Sequence, residues 1–291
     1  MQAAEGDRRI ELPGVRARLV LAMLLLEPGR VVATERLVEA IWEAEPPPSM
    51  RTQIAIAVSG LRRTFREAGL DDVIETVSPG YRLRAGAVRT DASVAEERVA
   101  AARDAATAGR TGEAVRLYHA ALALWRGPVL AGLDSAPLAT GALRWEELRL
   151  TGTEELAELE LVRGHHHELT GDLMALVAEN PFRERLRAQL MTALARSGRQ
   201  AESLAVYQEG RRILSDDLGL EPGRVLRDLH EAILADAPSV QQRLTSPWET
   251  MPPADRPTAP SFRLGACRQR PRHGRRRTGG LRRAATLHGP R

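Results

Sequence analysis

The stretch from Met50 to Ala68, MRTQIAIAVSGLRRTFREA, decides how the N-terminal part of the chain is read. Advancing about 100° per residue, as a helix does, brings Ile54, Val58, Leu61 and Phe65 within roughly 60° of one another. A stripe that narrow buries one face of a helix and leaves the other free. The free face carries Thr52, Gln53, Ile56, Ser59, Gly60 and Arg63, while Arg51, Arg62 and Arg66 line one flank. Such groups suit the major groove of DNA. There Gln and Arg can read base edges, an aliphatic side chain can meet a thymine methyl, and flanking arginines can hold phosphates. The same arginines are equally consistent with the solvated face of an amphipathic helix.

Arg16 to Leu26 reads as a buried helix stopped by Pro28-Gly29. A second helix follows Thr34 as its N-cap, carries Leu37, Val38, Ile41 and Trp42 at helical spacing, and ends before Pro46-Pro47-Pro48. The helix around Ile54 begins after Ser49 and is stopped by Gly69. Beyond it, Ile74 to Val77, the turn Ser78-Pro79-Gly80 and Tyr81 to Arg84 spell a tight β-hairpin. Three helices and a hairpin in that order predict a winged helix. The hairpin adds Arg82 and Arg84 to the candidate DNA contacts, whereas Tyr81 reads as core. Counting Arg89, residues 49–67 and residues 76–90 each carry a net charge of +3, so basic charge is concentrated where contact with DNA is expected.

Residues 92–237 show nearly continuous helical periodicity and repeat themselves. Gly109-Arg110-Thr111-Gly112-Glu113-Ala114, with Tyr118 beyond, shares a register with Gly198-Arg199-Gln200-Ala201-Glu202-Ser203 and Tyr207. A looser copy begins at Gly164, with Glu168 and Leu173 at the matching places, 34 residues before Gly198, the tetratricopeptide spacing. Stacked helical hairpins that present a protein-binding surface are the expectation. Within the loose copy, His165-His166-His167-Glu168 invites a zinc hypothesis. Neighbouring helical residues point about 100° apart, however, so a solvated helix start is the preferred reading. No phosphate-cradling glycine loop, nucleophile–base pairing or recurring carboxylate spacing is visible, so no catalytic residue, metal or cofactor is assigned.

The chain has 291 residues, 43% of them hydrophobic but only 3% aromatic, which favours helices built on Leu, Val and Ala. The net charge of +4 is split, with +10 on residues 241–291 and −6 on the rest. The single cysteine, Cys267, cannot close an intrachain disulfide, and no signal peptide opens the chain. The longest apolar run, Leu19 to Leu26, falls far short of the roughly 20 residues that span a bilayer. A cytoplasmic location and no membrane partner are expected.

Several motifs, taken together, resemble the SARP group, the Streptomyces antibiotic regulatory proteins. In the first region they are Gly29-Arg30-Val31-Val32, Arg36-Leu37-Val38, Ile41-Trp42, Val58-Ser59-Gly60-Leu61-Arg62-Arg63 and Pro79-Gly80-Tyr81-Arg82-Leu83. In the second they are Ala121 to Pro128, Glu179 to Leu186, Ser197 to Glu202 and Asp217 to Gly223. The resemblance covers residues 10–237. It implies a response-regulator-type winged helix followed by a bacterial transcriptional activation domain. It also implies direct repeats in double-stranded promoter DNA, two protomers on that DNA, and recruitment of RNA polymerase holoenzyme with its sigma subunit. Antibiotic or other secondary-metabolite genes would be the targets. Three departures stand out. About fifteen residues precede the first helix, leaving the usual N-terminal sheet incomplete. Gly60 occupies a position where many relatives carry a basic residue, and the nucleotide-binding module of long relatives gives way to an Arg-rich segment.

The expected fold is therefore mainly α. A winged helix-turn-helix over residues 1–91 precedes a tetratricopeptide-like repeat domain over residues 92–237 and a disordered Arg/Pro/Gly-rich tail over residues 238–291. The leading function is sequence-specific activation. A helical-repeat scaffold with weakened DNA binding is the competing reading, and an enzyme ranks third. Arginines in a flexible tail add nonspecific affinity for DNA. Removing residues 241–291 should therefore flatten the salt dependence of DNA binding, and an unchanged slope in a salt titration would refute that role.

Overall fold

The computed structural model describes residues 3–5, 8–42 and 45–236. Two short strands, β1 (Ala3–Glu5) and β2 (Arg8–Ile10), pair antiparallel ahead of α1 (Val15–Leu26). Then come β3 (Val31–Ala33), α2 (Thr34–Trp42), α3 (Met50–Glu67), β4 (Ile74–Val77) and β5 (Gly80–Leu83). Three helices and a hairpin stand in the order the sequence predicts, a winged helix. The antiparallel pair of β1 and β2 forms a sheet separate from that of the wing.

One strand escapes the sequence reading. β3 is three residues long, too short to show alternation, yet it pairs with β5 and makes the wing a three-stranded sheet ordered β3-β5-β4. The approach is close at Gly80, where a Cβ would lie 2.9 Å from the Ala33 Cα and closer still to the Val32 carbonyl oxygen. Glycine is required there by space. Thr34 also differs from expectation. Its hydroxyl donates to the Pro79 carbonyl at 3.0 Å, so it pins the wing turn to the start of α2 instead of capping its own helix.

The apolar run of α1 is buried on every side, from Leu19 through Leu24 and again at Leu26. A helix with no polar face needs cover all round. The stripe Ile54, Val58, Leu61 and Phe65 of α3 covers one side, with Leu37 and Ala40 of α2. The remaining cover comes from the helical region, because Leu138 and Trp145 belong to the same buried cluster.

That region consists of α4 (Asp91–Thr107), α5 (Thr111–Leu122), α6 (Ala136–Arg163), α7 (His166–Glu179), α8 (Glu184–Arg196), α9 (Gln200–Leu218) and α10 (Arg224–Leu234). α4 and α5, α6 and α7, and α8 and α9 form the three helical hairpins read from the repeats. The repeat glycines Gly109, Gly164 and Gly198 each adopt a positive φ, of 73°, 91° and 75°, that ends one helix before the next begins. Tyr118, Leu173 and Tyr207, at matching register, are all buried.

Of the three histidines only the exposed His167 fits the solvated helix start expected of them. His166 is only 9% exposed, and Nδ1 of His165 lies 2.5 Å from Oε2 of Glu160, a carboxylate with no exposure at all. His119 from α5 and Arg163 also approach Glu160. Burial alone would push the Glu160 carboxyl up, but the hydrogen bonds from His119 and His165 and the Arg163 charge outweigh it and hold the group below its ordinary value. The start of α7 is thus packed around a buried charge, which local sequence does not reveal. Among the described residues no cluster of three or more suitable side chains could hold a metal ion, and no helix is long and apolar enough to cross a membrane. Residues 237–291, with Cys267 and the basic tail, lie outside the described residues.

Trp145 joins the two regions. Its ring is buried in the α1 cluster, and its indole N–H donates to Oε1 of Glu96 in α4 at 2.9 Å. Trp145→Ala should cost about 3–5 kcal/mol. It should also split one cooperative urea unfolding transition into two, whereas a transition that shifts without splitting would mean the regions do not depend on each other.

Candidate nucleic-acid interface

Helix α3 projects its free face as the periodicity predicts. Opposite the buried stripe and along its flank, Arg51, Thr52, Ile56, Ser59, Arg63 and Arg66 are all exposed, whereas Gln53, Gly60 and Arg62 are partly buried. Spacings of four, three, four and three residues place Thr52, Ile56, Ser59, Arg63 and Arg66 on one ridge. Ile56 is 66% exposed, a large aliphatic group in water with no packing role of its own. Gly60 sits where a Cβ would meet only the Pro13 Cγ at 3.8 Å, so a side chain there would be accommodated.

The predicted contact residues differ in what already holds them. Arg63 has no partner for its guanidinium among the described residues. Arg51 pairs with Glu35 at 2.9 Å and Arg66 lies 3.9 Å from Asp71; both pairs are well exposed, and such pairs are weak in water. The amide of Gln53 folds back, its Nε2 donating to Ser49 Oγ at 2.9 Å, which leaves its Oε1 buried and without a partner in the described structure.

Arg62 is placed differently from the others. Its Nε donates to the Ile74 carbonyl and its Nη2 to Thr76 Oγ1, both at 2.9 Å. These acceptors are neutral, so the positive charge of Arg62 persists at the junction of α3 and β4 while its geometry ties helix to wing. On the wing, Arg82 and Arg84 converge on Glu75. Nε of Arg82 donates to Oε2 at 2.9 Å and Nη2 to the same oxygen at 2.5 Å, and Nε of Arg84 reaches Oε1 at 3.3 Å. The hydrogen bonds from Arg82 and Arg84 hold the Glu75 carboxyl below its ordinary value, so it stays ionised at neutral pH. Tyr81, read as core, is partly buried against the α1 cluster.

Sequence reading missed Glu75 and Thr34 as parts of this surface. The signal for Glu75 was present: the hairpin register sets it directly opposite Arg82. No sequence signal marks Thr34, whose partner lies 45 residues away. The arrangement is a ridge of small, aliphatic and basic groups on one helix, beside a wing whose two arginines share one carboxylate. It contains no nucleophile paired with a base.

Comparison with known proteins gives this geometry a context. Residues 8–83 match the family described as transcriptional regulatory protein, C terminal, and residues 90–234 match the bacterial transcriptional activator domain. The chain is 38% identical over 243 residues to the regulatory protein AfsR of Streptomyces coelicolor, covering 82% of this chain and 24% of that protein. It is 32% identical over 250 residues to the transcriptional regulator RedD of the same species, covering 83% of this chain and 71% of that protein. Among solved structures it is similar to Mycobacterium tuberculosis EmbR in complex with a low affinity phosphopeptide. That match has a TM-score of 0.77 at 35% identity and covers 84% of this chain and 66% of that one. The chain thus spans about a quarter of the length of AfsR.

The different settings of the two adjacent arginines predict different costs. Arg62→Ala removes two charge-assisted hydrogen bonds and should destabilise the fold by about 2 kcal/mol, whereas Arg63→Ala should stay within about 0.5 kcal/mol of the wild type. Paired thermal melts check this, and equal melting temperatures would remove Arg62 from its tie to the wing.

Proposed function

The chain belongs to the SARP family of transcriptional regulators, and on that premise we propose that it is a sequence-specific DNA-binding activator. Helix α3 enters the major groove of promoter DNA and the wing rests on the flanking backbone. The observation that carries this reading is the exposed ridge Thr52, Ile56, Ser59, Arg63 and Arg66, set opposite a fully buried stripe on the same helix. A helix that spends an exposed isoleucine and an unpaired arginine on its free face is suited to a groove, where the first meets a thymine methyl and the second a guanine edge or a phosphate. Arg51 and Arg66 hold phosphates once their exposed pairs with Glu35 and Asp71 exchange, and Arg82 and Arg84 do so once phosphate displaces Glu75. Arg62 keeps the wing at the correct offset from α3, and Gln53 reads a base on release from Ser49.

The two family matches support a division of labour. Residues up to 91 read DNA, and the helical hairpins of residues 92–237 contact RNA polymerase holoenzyme and its sigma subunit. Two protomers occupy a pair of direct repeats upstream of secondary-metabolite genes, in the cytoplasm. The shared core around α1 supports a fixed geometry between reader and activation surface. The reading assigns the chain no catalytic step and no cofactor.

An electrophoretic mobility shift with the full chain on promoter regions of its neighbouring genes, against nonspecific competitor at two salt concentrations, tests the proposal. A competitor-resistant complex should form. Arg63→Ala and Arg66→Ala should each weaken it and, where a phosphate contact is lost, lower the salt slope by about 1. No shift from folded protein would favour the scaffold reading instead.

A further inference from the structure

Glu75 contributes a negative charge between the two arginines of the wing. Its position is over-determined. It faces Arg82 across the hairpin, and the residues on either side of it, Ile74 and Thr76, are the two that Arg62 of α3 grips. The carboxylate is therefore held at a set offset from the recognition helix, and each of its oxygens is occupied by a wing arginine. The side chains of Arg82 and Arg84 nevertheless remain 40% and 50% exposed, so both can exchange partners without unfolding the wing.

We propose that Glu75 is a selectivity residue that competes with DNA phosphate for Arg82 and Arg84. This rests on the DNA-binding reading above. A carboxylate and a phosphate offer a guanidinium the same pair of oxygens. Off DNA, Glu75 holds both arginines and cancels one of their two charges. In a glancing encounter with arbitrary sequence the phosphate is not held in register, and the carboxylate keeps the arginines. When α3 is fully seated, the backbone is fixed beside the wing and phosphate displaces the carboxylate. The wing's contribution is thus withheld from mis-seated complexes, which widens the gap between specific and nonspecific binding.

The test uses the full chain and a fluorescein-labelled duplex of about 30 base pairs of arbitrary sequence, titrated by anisotropy across a salt series. Glu75→Gln should bind this duplex about three- to tenfold more tightly at low salt, with a salt slope steeper by about 1 to 2. Arg84→Gln should cost little affinity in the wild-type background and clearly more in the Glu75→Gln background. If Glu75→Gln melts early, Glu75→Asp, which keeps the charge but shortens its reach, should give a smaller rise in the same direction. Unchanged affinity and slope, or equal losses from Arg84→Gln in both backgrounds, would overturn the competition. If the wild type binds and Arg63→Ala weakens it while Glu75→Gln changes nothing, only this inference falls. If folded wild type binds no duplex at any salt concentration, the DNA-binding reading falls with it.

Discussion

The structure depends on covering helix α1. Between Leu19 and Leu26 this helix offers water almost nothing, and a helix apolar all round is stable only when neighbours close on it from several directions. The stripe of α3 supplies one wall. The first half of α6 supplies another, at Leu138 and Trp145 and at Gly141, where a Cβ would come within 2.5 Å of the Leu26 side chain. Because the winged helix and the helical hairpins complete the same core, the direction in which α3 points is set relative to the hairpin stack. That geometric coupling makes an activator reading physically coherent: a surface seated in a groove would present the remainder of the chain at a defined angle.

Charge is arranged so that most of it is already spent within the fold. Arg51, Arg66, Arg82 and Arg84 all lie beside acids, and Arg62 is committed to neutral acceptors on β4. Arg63 alone of the predicted arginines has neither kind of partner among the described residues. On the DNA-binding proposal the internal pairs exchange for phosphates, and the well-exposed pairs of Arg51 and Arg66 contribute little, so theirs exchange at little cost. Counting arginines therefore overstates the charge free to meet DNA, whereas the map of their partners identifies which contacts are immediate and which are conditional.

The hairpin stack is fixed by buried polar ties as well as apolar packing. Glu154, almost fully buried, accepts from Arg183, and that arginine also holds Glu147. Arg187 is buried without a carboxylate of its own and instead donates to the carbonyls of Val206 and Pro181, threading past Gly210, where any Cβ would collide with it. Groups like these have few alternative partners in a dry interior, so they specify how one hairpin sits on the next. The same logic places His165, His119 and Arg163 around Glu160.

Features that depend on neighbours in the chain could be read from the residues alone. Helix boundaries at Pro28-Gly29 and Gly69, the buried stripe of α3 and its free face, the wing hairpin, and the repeated glycines that end successive helices were all legible. Each is dictated by backbone geometry within a turn or two. Tertiary structure decided what depends on distant partners. It placed Thr34 on Pro79, gave Arg62 to the wing, set His119 and His165 against the buried Glu160, recruited β3 to the sheet and merged two regions around α1. Periodicity shows which side of an element seeks cover but not which element supplies it, since a side chain's reach through space leaves no mark on the residues beside it in sequence.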